Sequence, residues 1–146
     1  MKRHPWHPAL VHFPIAGWVL ATLLDIGHLV GLDTRIGSAD WSAAANVVLW
    51  AGLIAVVPTI AAGLLDFAAL PRGVQDAPEL SWHIAFMTAA LVLFLSAAIW
   101  RARIGVFTAP LGWYVTAVEV AGSIALIAGG HCASVVVFRR LPAAGV

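Results

Sequence analysis

The stretch AAANVVLWAGLIAVVPTIAAGLLDFAAL, residues 43–70, carries a single charged side chain, Asp66. A helix needs about 20 apolar residues to cross the hydrocarbon of a bilayer, and this stretch exceeds that length. Three further runs have the same character: 9–32, 80–100 and 111–138. The breaks between them hold turn chemistry and charge, in Gly31 to Gly37, Pro71 to Pro78 and Arg101 to Gly105, with Pro110 opening the last run. Connections this short join antiparallel neighbours. The expected fold is an all-α integral membrane protein, an antiparallel four-helix transmembrane bundle forming a single domain over residues 1–146.

Composition supports this reading. Of 146 residues, 62% are hydrophobic and 10% charged, and the mean hydropathy is +0.94. A water-soluble domain carries about a quarter charged residues. Eight basic against seven acidic residues leave no charge excess for nucleic acid. Cys132 is the sole cysteine, which excludes an internal disulfide and a two-cysteine metal knuckle, and there is no haem-attachment sequence of the C-x-x-C-H type. Any cofactor is therefore held without a thioether link. Lys2 and Arg3 precede an apolar run as in a secretory signal, but that run contains Pro14, Asp25 and His28 and is too long, so it reads as a retained first helix.

Alternating helix direction puts the N-terminus, the second loop and the C-terminus on one side, termed face A, with Lys2, Arg3, Arg72, Arg139 and Arg140. Face B has Arg35, Arg101 and Arg103. The positive-inside rule then favours face A in the cytoplasm. Trp6, Trp41, Trp82, Trp100 and Trp113 fall near predicted helix ends, where an indole suits the headgroup layer. Pro14 and Pro58 lie inside predicted helices and each removes an intrahelical hydrogen bond. Thirteen glycines, with many alanines, allow either close helix approach or room for a flat cofactor.

Ionisable groups inside bilayer helices cost about 2.5–3.5 kcal/mol at the centre and default to functional hypotheses. His7, His12, Asp66, His83 and His131 come from all four predicted helices and fall in the face A half. Asp25, His28 and Glu119 occupy the other half. Asp25 and His28 form an i, i+3 pair able to satisfy itself locally, and they lie about 140° and 160° around the helix from His12. Glu119 either joins them or faces a partner subunit, and a homodimer is one such arrangement.

Three functional readings fit the face A set, beside the simpler one in which each histidine bonds a backbone carbonyl or caps a helix. Haem b needs two neutral imidazoles from facing helices with an apolar slot between them. His12 and His83 fit as axial ligands, with Ala16, Ala85 and Ala89 leaving space and Phe13 and Phe86 packing the porphyrin edge. A zinc, iron or copper ion would instead use His12, Asp66, His83 and His131. A proton or ion pathway would relay charge along the same groups.

His4-Pro-Trp-His7-Pro-Ala-Leu-Val-His12-Phe-Pro-Ile-Ala16 resembles the opening of a bacterial membrane family, the domain of unknown function family 2231. Gly63-Leu-Leu-Asp66-Phe67, Trp82-His83 and Gly129-Gly130-His131 resemble its later motifs, in the same order. The resemblance covers nearly the whole chain and implies a compact four-helix protein of the bacterial inner membrane; relatives joined to Rieske-type or c-type cytochrome domains imply electron transfer. His7, His12, Asp66 and His83 match the family's polar positions. Position 131 often carries Glu in relatives, which suits a metal ligand or a propionate partner better than an obligatory axial ligand. The segment from Cys132 to Arg140 departs from the family pattern.

Together these readings give a small b-type cytochrome with one haem on His12 and His83, passing single electrons to or from a quinone or redox partner. Asp66 and His7 would orient an imidazole, and Arg72 and Lys2 would neutralise the propionates. The alternatives are a His/Asp metal-binding membrane protein and a structural subunit of a larger membrane complex.

Overall fold

The computed structural model describes residues 6–36, 40–104 and 111–141. Helices α1 (Trp6–Leu10) and α2 (His12–Leu29) make the first span, and a short α3 (Leu32–Ile36) follows. Helix α4 (Trp41–Ala68) is the second span, α5 (Arg72–Gln75) a one-turn cap, and α6 (Pro78–Ile104) the third span. Helix α7 (Leu111–Val135) runs into a π-helical turn (Val136–Arg140) to complete the fourth. All four spans are long and apolar enough to cross a membrane, and no strand occurs among the described residues. The chain is a multi-pass, all-α membrane protein.

The boundaries differ from the sequence expectation for identifiable reasons. The first span begins at Trp6 and is broken at Val11, because the Pro14 ring has no N–H for the Leu10 carbonyl and crowds it. Pro58 leaves α4 unbroken. Gly31, at φ +73°, turns the chain out of α2 in a conformation that L side chains avoid. Helix α4 starts two residues earlier than expected because the Asp40 carboxylate accepts the Ala43 amide at 2.9 Å. It ends at Ala68, where the Gln75 side-chain amide donates to the carbonyls of Phe67 and Leu70, each at 3.0 Å. The third helix does not stop at Trp100; Arg101, expected in a loop, is buried inside it.

The helices pack most closely in two pairs, α2 with α4 and α6 with α7; the contacts between pairs, α2 to α7 and α4 to α6, are thinner. The first and third spans are thus diagonal. Within a pair the register descends: His7 lies over Gly63, Gly17 over Gly52 and Gly27 over Trp41. His83 likewise meets Gly129, and Phe94 meets Gly122. Paired helices therefore run in opposite directions. A methyl group added at Gly52 would lie 2.6 Å from the Trp18 ring, so the glycine is what admits that indole into the centre.

Trp18 and Phe94 stack across the diagonal with centroids 4.8 Å apart, and Ala21, Ala45, Leu49, Ala90 and Ala98 close the core around them. The inward stripes follow the helical period: Pro14, Trp18, Ala21 and Asp25 on α2, and Ala90, Phe94, Ala97 and Arg101 on α6. Large apolar side chains such as Ile54, Leu65 and Ile127 point outward, as a bilayer solvent requires. Trp6, Trp82, Trp100 and Trp113 are exposed near helix ends, whereas Trp41 packs over Gly27. Between the pairs, Trp50, Ile54, Pro58, Leu91 and Leu95 line an open apolar groove.

A Cβ at Gly122 would sit 2.7 Å from the Phe94 ring, while one at Gly130 meets nothing within 4 Å. Gly122→Ala should therefore overpack the core and lower stability by about 1–3 kcal/mol. Gly130→Ala, one helical position from the crowded Gly129, should leave it within about 0.5 kcal/mol of the parent. Unfolding of the detergent-solubilised protein, followed by helical circular dichroism, separates the two.

Candidate functional site

Two clusters of polar side chains lie at opposite ends of the bundle. At the face B end, Asp25 on α2 is fully buried and accepts a hydrogen bond on Oδ2 from Nη1 of Arg101 on α6. Arg101 Nη2 donates to the Ser42 carbonyl at 2.7 Å. Glu119 on α7 is also fully buried, with Oε1 4.0 Å from Arg101 Nη1 and its carboxyl against that of Asp25. Three spans thus converge on one ionic cluster, and the Thr22 and Ser123 hydroxyls lie 3.4 Å apart a turn deeper.

Asp25 is consequently not paired with His28. The two lie about 60° apart around the helix, but Asp25 sits on the inward stripe that carries it to Arg101, while His28, almost a turn nearer the helix end, is half-buried at the rim. There His28 Nδ1 meets Asp33 Oδ2 at 2.5 Å, and the Thr34 amide donates to Asp33 Oδ1 at 2.8 Å. The His28 ring, followed by the Thr34 amide, holds the Asp33 carboxyl below the usual carboxylate range. Glu119 faces its own bundle and not a partner subunit. Arg101 is not a loop charge, so it drops out of the positive-inside comparison. Its signal was its spacing: Arg101 lies seven residues after Phe94 on the same helical face, level with two acids that need a cation.

At the face A end the structure sorts the candidate residues by helix rotation. His12 lies 160° from the inward-facing Pro14 and is exposed. His131, two positions beyond the buried Gly129, is exposed as well. His83 lies seven residues before Ala90 on the inward stripe and is half-buried, with Nδ1 2.9 Å from the Gly129 carbonyl. His7 is half-buried against Gly63, with Nδ1 3.0 Å from the Thr59 carbonyl. A carbonyl only accepts, so Nδ1 is the donor in both rings, and Nε2 is the nitrogen turned away from that bond. Asp66 is half-buried near the end of α4, and Arg72 is exposed on α5. Lys2 and Arg3 lie outside the described residues.

The expected slot between His12 and His83 is not built as such: Ala16, Ala85, Ala89 and Phe13 are exposed on outer faces, because burial of Trp18 and Phe94 fixes the rotation of both helices. Phe86 instead packs against Trp82, with centroids 5.8 Å apart. Nor do His12, Asp66, His83 and His131 come together as a metal centre; among the described residues no group of three or more His, Cys, Asp or Glu side chains is placed to hold an ion. His12 and His131 point away from the core that such a centre would need.

Removing the guanidinium from the ionic cluster leaves buried acids without a cation, so Arg101→Gln should destabilise the bundle by about 3–5 kcal/mol, read as a lower unfolding midpoint in detergent. At the rim, a carboxyl held low contributes stability above its ordinary range and loses it as pH falls through the lowered value. Amide hydrogen exchange in α3 should therefore rise only in strong acid, and Asp33→Asn should abolish that acid step.

No curated protein and no solved structure matches the chain. A family model described as a predicted membrane protein, DUF2231, matches residues 3–141. With nearly the whole chain matched and four membrane-length helices folded as one bundle, this protein belongs to the DUF2231 family of predicted membrane proteins.

Proposed function

We propose that this protein is a small b-type cytochrome of the bacterial inner membrane, holding one haem b non-covalently between its two helix pairs and exchanging single electrons with a quinone or a redox protein. The observation that supports the reading is the pair of anchored imidazoles. His7 and His83 each donate Nδ1–H to a backbone carbonyl, at 3.0 and 2.9 Å, which leaves Nε2 as the ligating nitrogen of the neutral ring. That tautomer, fixed by a carbonyl behind the ring, is the one an iron-ligating histidine adopts. One ring belongs to the α1/α2/α4 side of the bundle and the other to the α6/α7 side, and both lie in the face A half.

His7 in place of the exposed His12, together with His83, would hold the iron. What supports the group is two imidazoles each anchored on a carbonyl, with Gly63 beneath one ring and Gly129 beside the other, and a thinner contact between pairs than within them. Haem bound there would supply one-electron redox chemistry. The chain's own part is to fix both ring orientations, to exclude water through the surrounding apolar helices, and to offer Arg72 near the face A surface for a propionate. A bare zinc, iron or copper ion finds less support, since two anchored imidazoles are too few for a closed site.

The test is a visible spectrum of the detergent-purified protein, oxidised and then dithionite-reduced. A Soret band with resolved α and β bands is expected, lost in His7→Ala and in His83→Ala and kept in His12→Ala. A colourless protein from haem-replete cells overturns the reading. A spectrum indifferent to His7→Ala removes that ligand.

A further inference from the structure

The face B cluster holds more acid than base in a volume closed to solvent. Among the described residues, the groups facing it are Asp25 and, at the rim, His28 from α2; Asp33 from α3, engaged with His28; Ser42 from α4; Arg101 from α6; and Thr116 and Glu119 from α7. Asp25, Glu119, Arg101 and Thr116 are all more than nine-tenths buried. Fully ionised, the two inner carboxyls and one guanidinium would leave a net negative charge inside an apolar bundle, where uncompensated charge is not tolerated.

The hydrogen bonds mark where compensation belongs. Asp25 uses Oδ2 for Arg101, while among the described residues its Oδ1 meets no donor. Among the same residues neither Glu119 oxygen meets one, nor does the Thr116 hydroxyl find a partner. Two carboxylates lying against each other are acceptors only and repel; with one proton between them, one becomes a donor to the other and both the charge and the orphaned oxygens are settled. We propose that Asp25 and Glu119 form a buried binding site for a single proton, carried on the Glu119 carboxyl and donated in a hydrogen bond to Asp25 Oδ1, with Arg101 balancing the remaining charge. The proton is drawn from water on face B, where His28, three residues from Asp25 and 28% exposed at its side chain, stands at the rim. Because Asp25 and Glu119 belong to different helix pairs, the proton also joins the two halves of the bundle.

Infrared difference spectroscopy on the full chain in nanodiscs tests this whether or not the protein carries a pigment. At neutral pH the parent should show one carboxylic-acid C=O band that shifts in heavy water. Glu119→Gln, whose amide copies the shape and donor of the neutral acid, should lose the band and keep the parent's unfolding midpoint. Asp25→Asn should lose it too, since Glu119 then gives up its proton to balance Arg101. Asp76→Asn, on the exposed loop, should keep it. The proposal is overturned by a parent without the band at neutral pH, by a band that survives Glu119→Gln, or by failure of Glu119→Gln to fold. A band that appears only when sodium is removed overturns it in favour of a monovalent cation.

Discussion

A guanidinium can remain inside a membrane bundle only if an acid is waiting at its depth, and this bundle is arranged around that condition. Arg101 lies on the inward stripe of α6, so satisfying it fixes the rotation of α6; Asp25 and Glu119 fix α2 and α7 to the same point. Rotation at one end of a rigid helix is rotation along all of it. The face of α6 that carries Arg101 also carries Phe94 to the diagonal stack with Trp18 and His83 to the Gly129 carbonyl. On α2 the same setting turns His12 out toward lipid. The polar chemistry of the face A end is thus set in part by an ion pair at the other.

The bundle divides labour between tight pairs and a looser seam. Glycines let α2 approach α4 and α6 approach α7, where dispersion between close surfaces supplies cohesion that the hydrophobic effect cannot supply in lipid. Across the seam the contacts are fewer and more specific: an aromatic stack in the middle, an ionic cluster toward face B, and an apolar groove opening to lipid beside Pro58. Specific polar contacts select one arrangement of two hairpins among the many that apolar packing alone would accept. Arg140, paired with Glu79 at 2.8 Å, makes a similar tie at the face A rim, within the α6/α7 pair.

Four long apolar runs separated by turn residues made the span count and all-α class plain from the sequence. The ends were less legible because side chains distant in sequence set them: Gln75 closes α4, and Asp25 lets α6 continue through Arg101. The candidate histidines could be placed at a common depth but not on a common face. Depth follows from residue count along a helix; facing depends on which stripe is buried, and the weak apolar periodicity of an almost wholly hydrophobic helix does not reveal that. Trp18 and Asp25 fixed the stripe on α2, and neither announces its direction in the sequence.

Asp25 is synthesised 76 residues ahead of Arg101. While the chain is emerging, the first hairpin therefore enters the bilayer with an acid whose cation does not yet exist. A lone carboxyl in hydrocarbon is held neutral by a proton. When α6 arrives, its guanidinium gives the Asp25 carboxyl the buried hydrogen-bond donor that the early hairpin lacked. Assembly of the two halves thus joins polar groups made at different times as well as packing their apolar surfaces.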